Sequence, residues 1–314
     1  MKKKPDAATP DHYAVVIISD LHIGMKFGAG DMLCEFLHNV KCDRLILNGD
    51  IIDGRLLNHR RPKDLPERQK RVLDAINRKI AEGTEVIYIP GNHDITLRRM
   101  DVAGKTFMGV KIEQSMDFTD PKGRKFLILH GDQFDQREKR AEELPDWLLG
   151  SLERANEALT TISAAVDKVT QATLRARFNL AGRVRGLLEN NKRRHRDLER
   201  QALKHAQEKG YDGVICGHTH KAACKTKDGL SYMNSGDWVD GFTALTMDKA
   251  GDWSVVPWRD RRKERGLKRK FFRAANDNPD KEFRPQTEKM VAVIRTIWPG
   301  KTRKKSPRPK PPQP

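Results

Sequence analysis

The run Ile89-Pro90-Gly91-Asn92-His93-Asp94 follows an apolar stretch, Val86-Ile87-Tyr88-Ile89. Alone it reads as a turn, because Gly, Asn and Asp all favour turns. Its context changes that reading. Four more clusters of Asp, His and Asn also stand directly behind apolar, strand-like runs. Residues 13–19 end in Asp20-Leu21-His22, and residues 43–47 end in Asn48-Gly49-Asp50-Ile51-Ile52-Asp53. Residues 125–129 end in His130-Gly131-Asp132, and residues 213–216 end in Gly217-His218-Thr219-His220. Five of the ten histidines lie in these clusters.

The apolar runs are nearly continuous rather than alternating, as in strands buried on both faces. Between them, residues 31–40 and 67–82 carry helical patterns, with Val72, Leu73, Ile76 and Ile80 on one stripe. Strands alternating with helices give an α/β domain. Polar residues at the C-terminal ends of strands are where open α/β sheets place their sites. Residues 230–233 lead into Asn234-Ser235-Gly236-Asp237-Trp238, and residues 243–247 and 253–256 form a closing hairpin.

Each cluster supplies carboxylate, imidazole or amide-oxygen ligands. Asp-x-His and His-x-His place two side chains on the same side of an extended strand end. None of the five clusters contains cysteine, which argues against a structural zinc site. Oxygen and nitrogen donors suit Mn²⁺, Fe or Zn.

The ordered set Asp20-x-His22, Gly49-Asp50-x-x-Asp53, Gly91-Asn92-His93-Asp94, His130-Gly131 and Gly217-His218-x-His220 resembles the calcineurin-like metallophosphoesterase superfamily. Three flanking runs are similar to the branch of UDP-2,3-diacylglucosamine pyrophosphatase-like proteins. They are residues 19–24, residues 130–135 and residues 234–239. This resemblance covers residues 13–258. It implies an α/β fold, a β-sandwich flanked by helices, with two divalent metals at the strand ends, Mn²⁺ favoured over Fe or Zn. It implies Asp20, His22 and His220 on one metal, Asn92, His130 and His218 on the other, and Asp50 bridging. It further implies a metal-bridging hydroxide that attacks phosphorus in line. His93 would act on the phosphoryl oxygen or the leaving group, Asp94 would orient His93, and Asp53 would accept a hydrogen bond behind the ligands. The implied substrate is phosphorylated: UDP-2,3-diacylglucosamine or a similar nucleotide-linked lipid. A nuclease or a cyclic-nucleotide phosphodiesterase is the alternative, and a non-catalytic scaffold conflicts with the intact ligand set. His93 stands where that branch usually carries arginine, while histidine is general across the superfamily.

The domain reading is therefore a basic N-terminus over residues 1–12 and a phosphoesterase domain over 13–134 plus 211–258. A helical cap is expected over 135–210 and a basic tail, mostly without fixed structure, over 259–314. In the cap, Leu148, Leu152, Ala155, Leu159, Ile162, Val166 and Val169 step by four and three, a heptad seam. The tail holds 19 Lys or Arg against 6 Asp or Glu, so most of the net charge of +18 sits there. That charge is expected to meet an anionic membrane surface, or less favourably nucleic acid. Four scattered cysteines exclude a disulfide framework and point to a reduced compartment. The Lys2-Lys3-Lys4 start lacks the apolar run of a secretory signal. The expected location is cytoplasmic, peripheral on the inner face of the membrane. Oligomeric state leaves no trace in the sequence.

Overall fold

The computed structural model describes residues 11–25, 28–57, 65–100, 103–135, 180–267 and 278–298. Its first sheet is built from β1 (Asp11–Ile18), β2 (Val40–Asn48), β3 (Glu85–Ile89), β4 (Thr106–Phe107), β5 (Val110–Ile112), β11 (Thr243–Met247) and β12 (Trp253–Pro257). The strand order is β12-β11-β1-β2-β3-β5-β4. β1, β2, β3 and β5 run parallel, with Ile18 opposite Leu47 and Asn48 opposite Ile89. The second sheet orders β6 (Met116–Thr119), β7 (Lys125–Ile128), β8 (Gly213–Cys216), β10 (Leu230–Asn234) and β9 (Ala223–Lys227). Its inner strands β7, β8 and β10 are parallel, and the edges β6 and β9 are antiparallel.

The continuous apolar runs follow from layering. Val15, Ile17, Ile46, Ile87 and Ile89 of the first sheet pack on Phe118, Phe126, Ile128, Ile215 and Met233 of the second. Their neighbours Val16, Ile18, Leu45, Leu47 and Val86 point the other way. They meet the helices α1 (Asp31–Asn39) and α3 (Glu67–Ala81) and the C-terminal helix α7 (Arg284–Ile297). The short α2 (Gly54–Leu57) and α4 (Ile95–Arg99) sit in the loops after β2 and β3. Behind the second sheet lies α5 (Leu180–Glu208), whose Leu198, Ala202 and Ala206 pack on Leu127, Val214 and Tyr232. Those three helix positions are four apart and share a face. The result is a helix–sheet–sheet–helix stack.

The parallel strands of both sheets end on the same edge. Asn48 ties them, donating from Nδ2 to Leu129 O at 3.1 Å while its own carbonyl sits 2.9 Å from His130 Nδ1. The loops after β1, β2, β3, β7 and β8 therefore converge.

Two expectations meet different outcomes. From residue 259 on, the sequence is expected to be mostly without fixed structure, apart from one short helix over residues 287–298. That helix is present as α7, which packs on α3 with Val291, Ile294 and Trp298 buried, while α6 (Trp258–Glu264), not foreseen, follows β12 directly. Much of the basic charge there is structural. Arg262 pairs with Glu35 at 2.7 Å, Arg261 with Asp11 at 3.1 Å, and Arg284 with Asp74 and Glu67, both at 2.6 Å. Counting charges cannot reveal partners more than 200 positions away. The heptad seam, the remainder of the cap to residue 179, the N-terminal ten residues and the last sixteen lie outside the described residues. No helix among the described residues is long and apolar enough to cross a membrane.

Candidate metal centre

All ten residues singled out by sequence lie at the convergent edge, and all but His93, His218 and His220 are buried outright. Three triads form. In each of Asp20–His22–His220, His22–Asp50–His93 and Asp50–His130–His218, one nitrogen or oxygen per residue lies within 4.8 Å of the others. Asp50 belongs to two of them. The imidazoles crowd together: His22 stacks on His220 at 5.4 Å, meets His93 edge-on at 4.8 Å, and His130 meets His218 at 5.3 Å. Asn92 is buried, with its Oδ1 out of reach of solvent.

The backbone is bent to achieve this. Eight non-glycine residues among those described have positive φ, and five of them are Asp20, His22, Asp50, His218 and His220. Such conformations cost on the order of 1–3 kcal/mol each and persist only where the surroundings impose them. Glycine does the rest. A Cβ on Gly91 would stand 2.2 Å from Asp50 Oδ1, and one on Gly49 would stand 2.1 Å from His130 Nδ1.

Four of the candidate ligands are braced from behind. His130 Nδ1 meets Asn48 O, which turns Nε2 toward Asp50 Oδ2 at 3.3 Å. His22 Nδ1 lies 3.3 Å from Asp53 Oδ2. Ser19 Oγ donates to Asp20 Oδ2 at 2.5 Å. His218 Nε2 lies 3.1 Å from Asp135 Oδ2, and Arg194 Nε of α5 donates to that same oxygen at 2.8 Å. Arg98 clamps Asp132 through two bonds of 2.6 and 2.9 Å.

The donor set fits divalent cations. His130 Nε2 and Asp20 Oδ1 are buried without a hydrogen bond among the described residues. Each faces an oppositely charged site member at ion-pair distance instead. Burial pushes the carboxylates upward, yet the neighbouring imidazoles hold Asp50 well below its ordinary range. Conversely burial disfavours the charged imidazoles, but Asp50 lifts His130 to about 10 and Asp20 lifts His220 to about 9. The site thus has a strongly anionic field that attracts positive charge. Cys216 is close by, but burial pushes its thiol far up, so it offers no thiolate.

His93 and Asp94 have different surroundings. The His93 side chain is 21% exposed at the mouth, with Nδ1 3.0 Å from Asp53 Oδ2. Its backbone N–H donates to Asp50 Oδ1 at 2.8 Å. Asp94 was expected to orient His93; the structure puts Asp53 there. Asp94 instead turns inward, accepting from the backbone N–H groups of Ile51, Ile52 and Gly91 and from Tyr88 Oη at 2.7 Å. It holds the two loops together and does not face the site.

Sequence reasoning missed Asp135 as a site residue. It stands in the run that begins at His130, but its partner His218 lies 83 positions on, and nothing local signals the contact. Asp237 was likewise unmarked. It lies 4.0 Å from His220 Nδ1 and accepts backbone N–H bonds from Val239, Asp240 and Gly241.

A two-sheet α/β sandwich with an Asp-shared pair of His-rich triads at its convergent strand ends defines the class: a fold with a candidate site for divalent metal. The family model for calcineurin-like phosphoesterases matches residues 13–222, more than half of the chain, and the chain belongs to that family. No curated protein matches it. Among solved structures, an archaeal phosphodiesterase is 13% identical, covering 77% of this chain and 98% of that one, with a TM-score of 0.32. The phosphopantetheinyl hydrolase of Mycobacterium tuberculosis is 17% identical over 74% of this chain and 92% of that one, with a TM-score of 0.33. Vacuolar protein sorting 29 from Cryptosporidium parvum is 13% identical over 77% and 94%, with a TM-score of 0.34. Likenesses this weak carry nothing about function.

Proposed function

We propose that the chain is a metal-dependent phosphohydrolase that cleaves a phosphoanhydride or phosphodiester. The observation that carries this reading is the pair of triads sharing Asp50, with the partly exposed His93 beside them. Asp20, His22, His220 and Asp50 would hold one divalent ion, and Asp50, Asn92, His130 and His218 the other. Two such ions supply Lewis-acid charge and an activated water. Manganese is the favoured metal on the sequence resemblance, and the oxygen-and-nitrogen donor set suits Fe or Zn as well.

The chain's own residues do the rest. Asp53 engages Nδ1 of His93, so Nε2 would be the nitrogen presented to the substrate. From Nε2 the imidazole would donate to the phosphoryl oxygen or to the leaving oxygen as its charge grows. Asp135 occupies Nε2 of His218, which leaves Nδ1 for the ion.

Within this class the favoured substrate is UDP-2,3-diacylglucosamine or a similar nucleotide-linked lipid. What supports it is the resemblance of residues 19–24, 130–135 and 234–239 and the basic face of α5 over the site. A nuclease is the second reading. Its support is the exposed cations Lys192, Arg193, Arg196 and Arg200 on that face, which would attract a phosphate backbone. Purified protein with Mn²⁺ is expected to hydrolyse a generic aryl phosphodiester, and Asp50→Ala to abolish turnover. Undiminished turnover in that variant rejects the proposal. A panel of UDP-diacylglucosamine, cyclic nucleotides and single-stranded DNA then ranks the substrates.

A further inference from the structure

A cavity of about 480 Å³ lies on the helix side of the first sheet. Tyr88 and Ile112 line it from the sheet, Leu73 and Ile76 from α3, and Val293 and Ile297 from α7. Ile51 and Ile52 also face it, from the loop that carries Asp50 and Asp53. None of the ten candidate site residues lines it, so it stands behind the metal centre and apart from it. The family model ends at residue 222, well before α7, so the α7 wall is an addition to the family's domain. We infer that this cavity binds a fatty acid, with the alkyl chain inside and the carboxylate at the mouth beside Lys105.

The lining selects an alkyl chain. Among its side chains only those of Tyr88, Lys105, Thr106, Thr296 and Trp298 carry nitrogen or oxygen. The Tyr88 hydroxyl is already bonded to Asp94. Trp298 is buried, with its ring against Gly54, where a Cβ would stand 2.1 Å from Nε1. Lys105, Thr106 and Thr296 are exposed. The polar groups therefore mark the mouth, and the interior is apolar. Water inside would lack the polar partners it needs, so such a space takes apolar ligands. Folded interiors leave few voids larger than a water molecule. This one falls in the range of ligand cavities, about 300–1,000 Å³. Met100 lines it too and is the one exposed large hydrophobic side chain among the described residues.

The charge at the mouth selects an anionic head. Lys105 supplies an exposed ammonium at the edge of the apolar lining. Trp298, which lines the cavity, is followed by residues 299–314, which hold six Lys or Arg and no carboxylate. A carboxylate at the mouth keeps its contact with water and gains these charges, while the chain leaves water. One bounded cavity takes one chain, which favours a free fatty acid over a two-chain bilayer lipid. Each methylene moved from water into apolar surroundings raises affinity about fourfold.

The test is calorimetric titration of the full chain with octanoate, decanoate and laurate, each below its micelle-forming concentration. Affinity is expected to rise about tenfold for each two methylenes added. It should be the same within twofold with Mn²⁺ and with a chelator, since the carboxylate does not sit on the metal. Val293→Trp fills the cavity from α7, and Met100→Glu sets a like charge at its mouth. Each should lower laurate affinity at least tenfold. Lys105→Glu should lower it at least fivefold and leave 1-dodecanol binding within twofold of wild type. Lys227→Ala, outside the cavity, should change neither. Met100 and Lys105 are exposed, so their variants decide the matter if the thermal midpoint shows that Val293→Trp does not fold. Laurate bound equally by wild type and Met100→Glu overturns the inference, as does affinity that does not grow with chain length. Binding lost with the chelator places the carboxylate on the metal and also overturns it. So does sedimentation with phosphatidylglycerol vesicles by a protein that binds no laurate, which makes the apolar mouth a bilayer contact. All of these outcomes leave the phosphohydrolase reading standing, because Asp50→Ala tests that reading by turnover alone.

Discussion

His93 and Asp53 are joined through their side chains, with Nδ1 3.0 Å from Oδ2, and that carboxylate also braces His22. One buried acid thus orients both a ligand and the exposed imidazole. His93→Ala is expected to lower kcat about 10²–10⁴-fold, the usual scale for a positioned proton donor, with bound metal unchanged. The loss should be greater for alkyl than for nitrophenyl leaving groups. Asp53→Asn should lower kcat and metal affinity together. Kinetics beside metal analysis separates the two.

Asp94 behaves as a structural acid. Removing it strands three backbone donors and the Tyr88 hydroxyl in the interior. Unsatisfied buried donors cost about 1–3 kcal/mol each. Asp94→Ala is therefore expected to lose roughly 3 kcal/mol or more in urea unfolding, whereas His93→Ala loses little. Equal stabilities would reject this assignment.

Asp135 couples α5 to the metal centre, because Arg194 and His218 meet on one of its oxygens. Groups that orient a ligating histidine typically contribute 10–100-fold in metal affinity. Asp135→Ala should weaken one of the two ions by about that factor and leave the other in place. Competitive titration against a chelator reads this directly.

Gly91 has no room for a side chain against Asp50. Gly91→Ala is expected to displace the Asp50 carboxylate, cut metal occupancy and abolish turnover with little change in circular dichroism. Retained occupancy would show that the loop yields.

The anchor of α7 is sensitive to acid. Arg284 holds Glu67 below its usual carboxylate range, mainly through the hydrogen bond between them. Because the folded-state value is depressed, the stabilisation is present above the unfolded value of about 4.3 and is lost as pH falls through the folded value. Glu67 is largely exposed, so the effect is small. Wild type should exceed Glu67→Gln by on the order of 0.5 kcal/mol at pH 6, and the gap should close as the pH falls below the folded value.

Much of this protein is legible along the chain. Two-sided burial forces continuous apolar strands. Gly and Asp-x-His patterns at their ends follow from local geometry, because alternate residues share a face and glycine admits close approach. Those signals locate the domain, its order of elements and the metal-binding clusters. Contacts between distant segments have no local signal. Asp53 rather than Asp94 stands behind His93, since the loop after β2 folds back across the loop after β3. Asp135 reaches His218 only because two parallel strands end side by side. In the described part of the basic C-terminal segment, Arg261, Arg262 and Arg284 find Asp11, Glu35, Glu67 and Asp74 on helices and strands far away in sequence. Pairing energy depends on distance in space, which only the folded chain supplies.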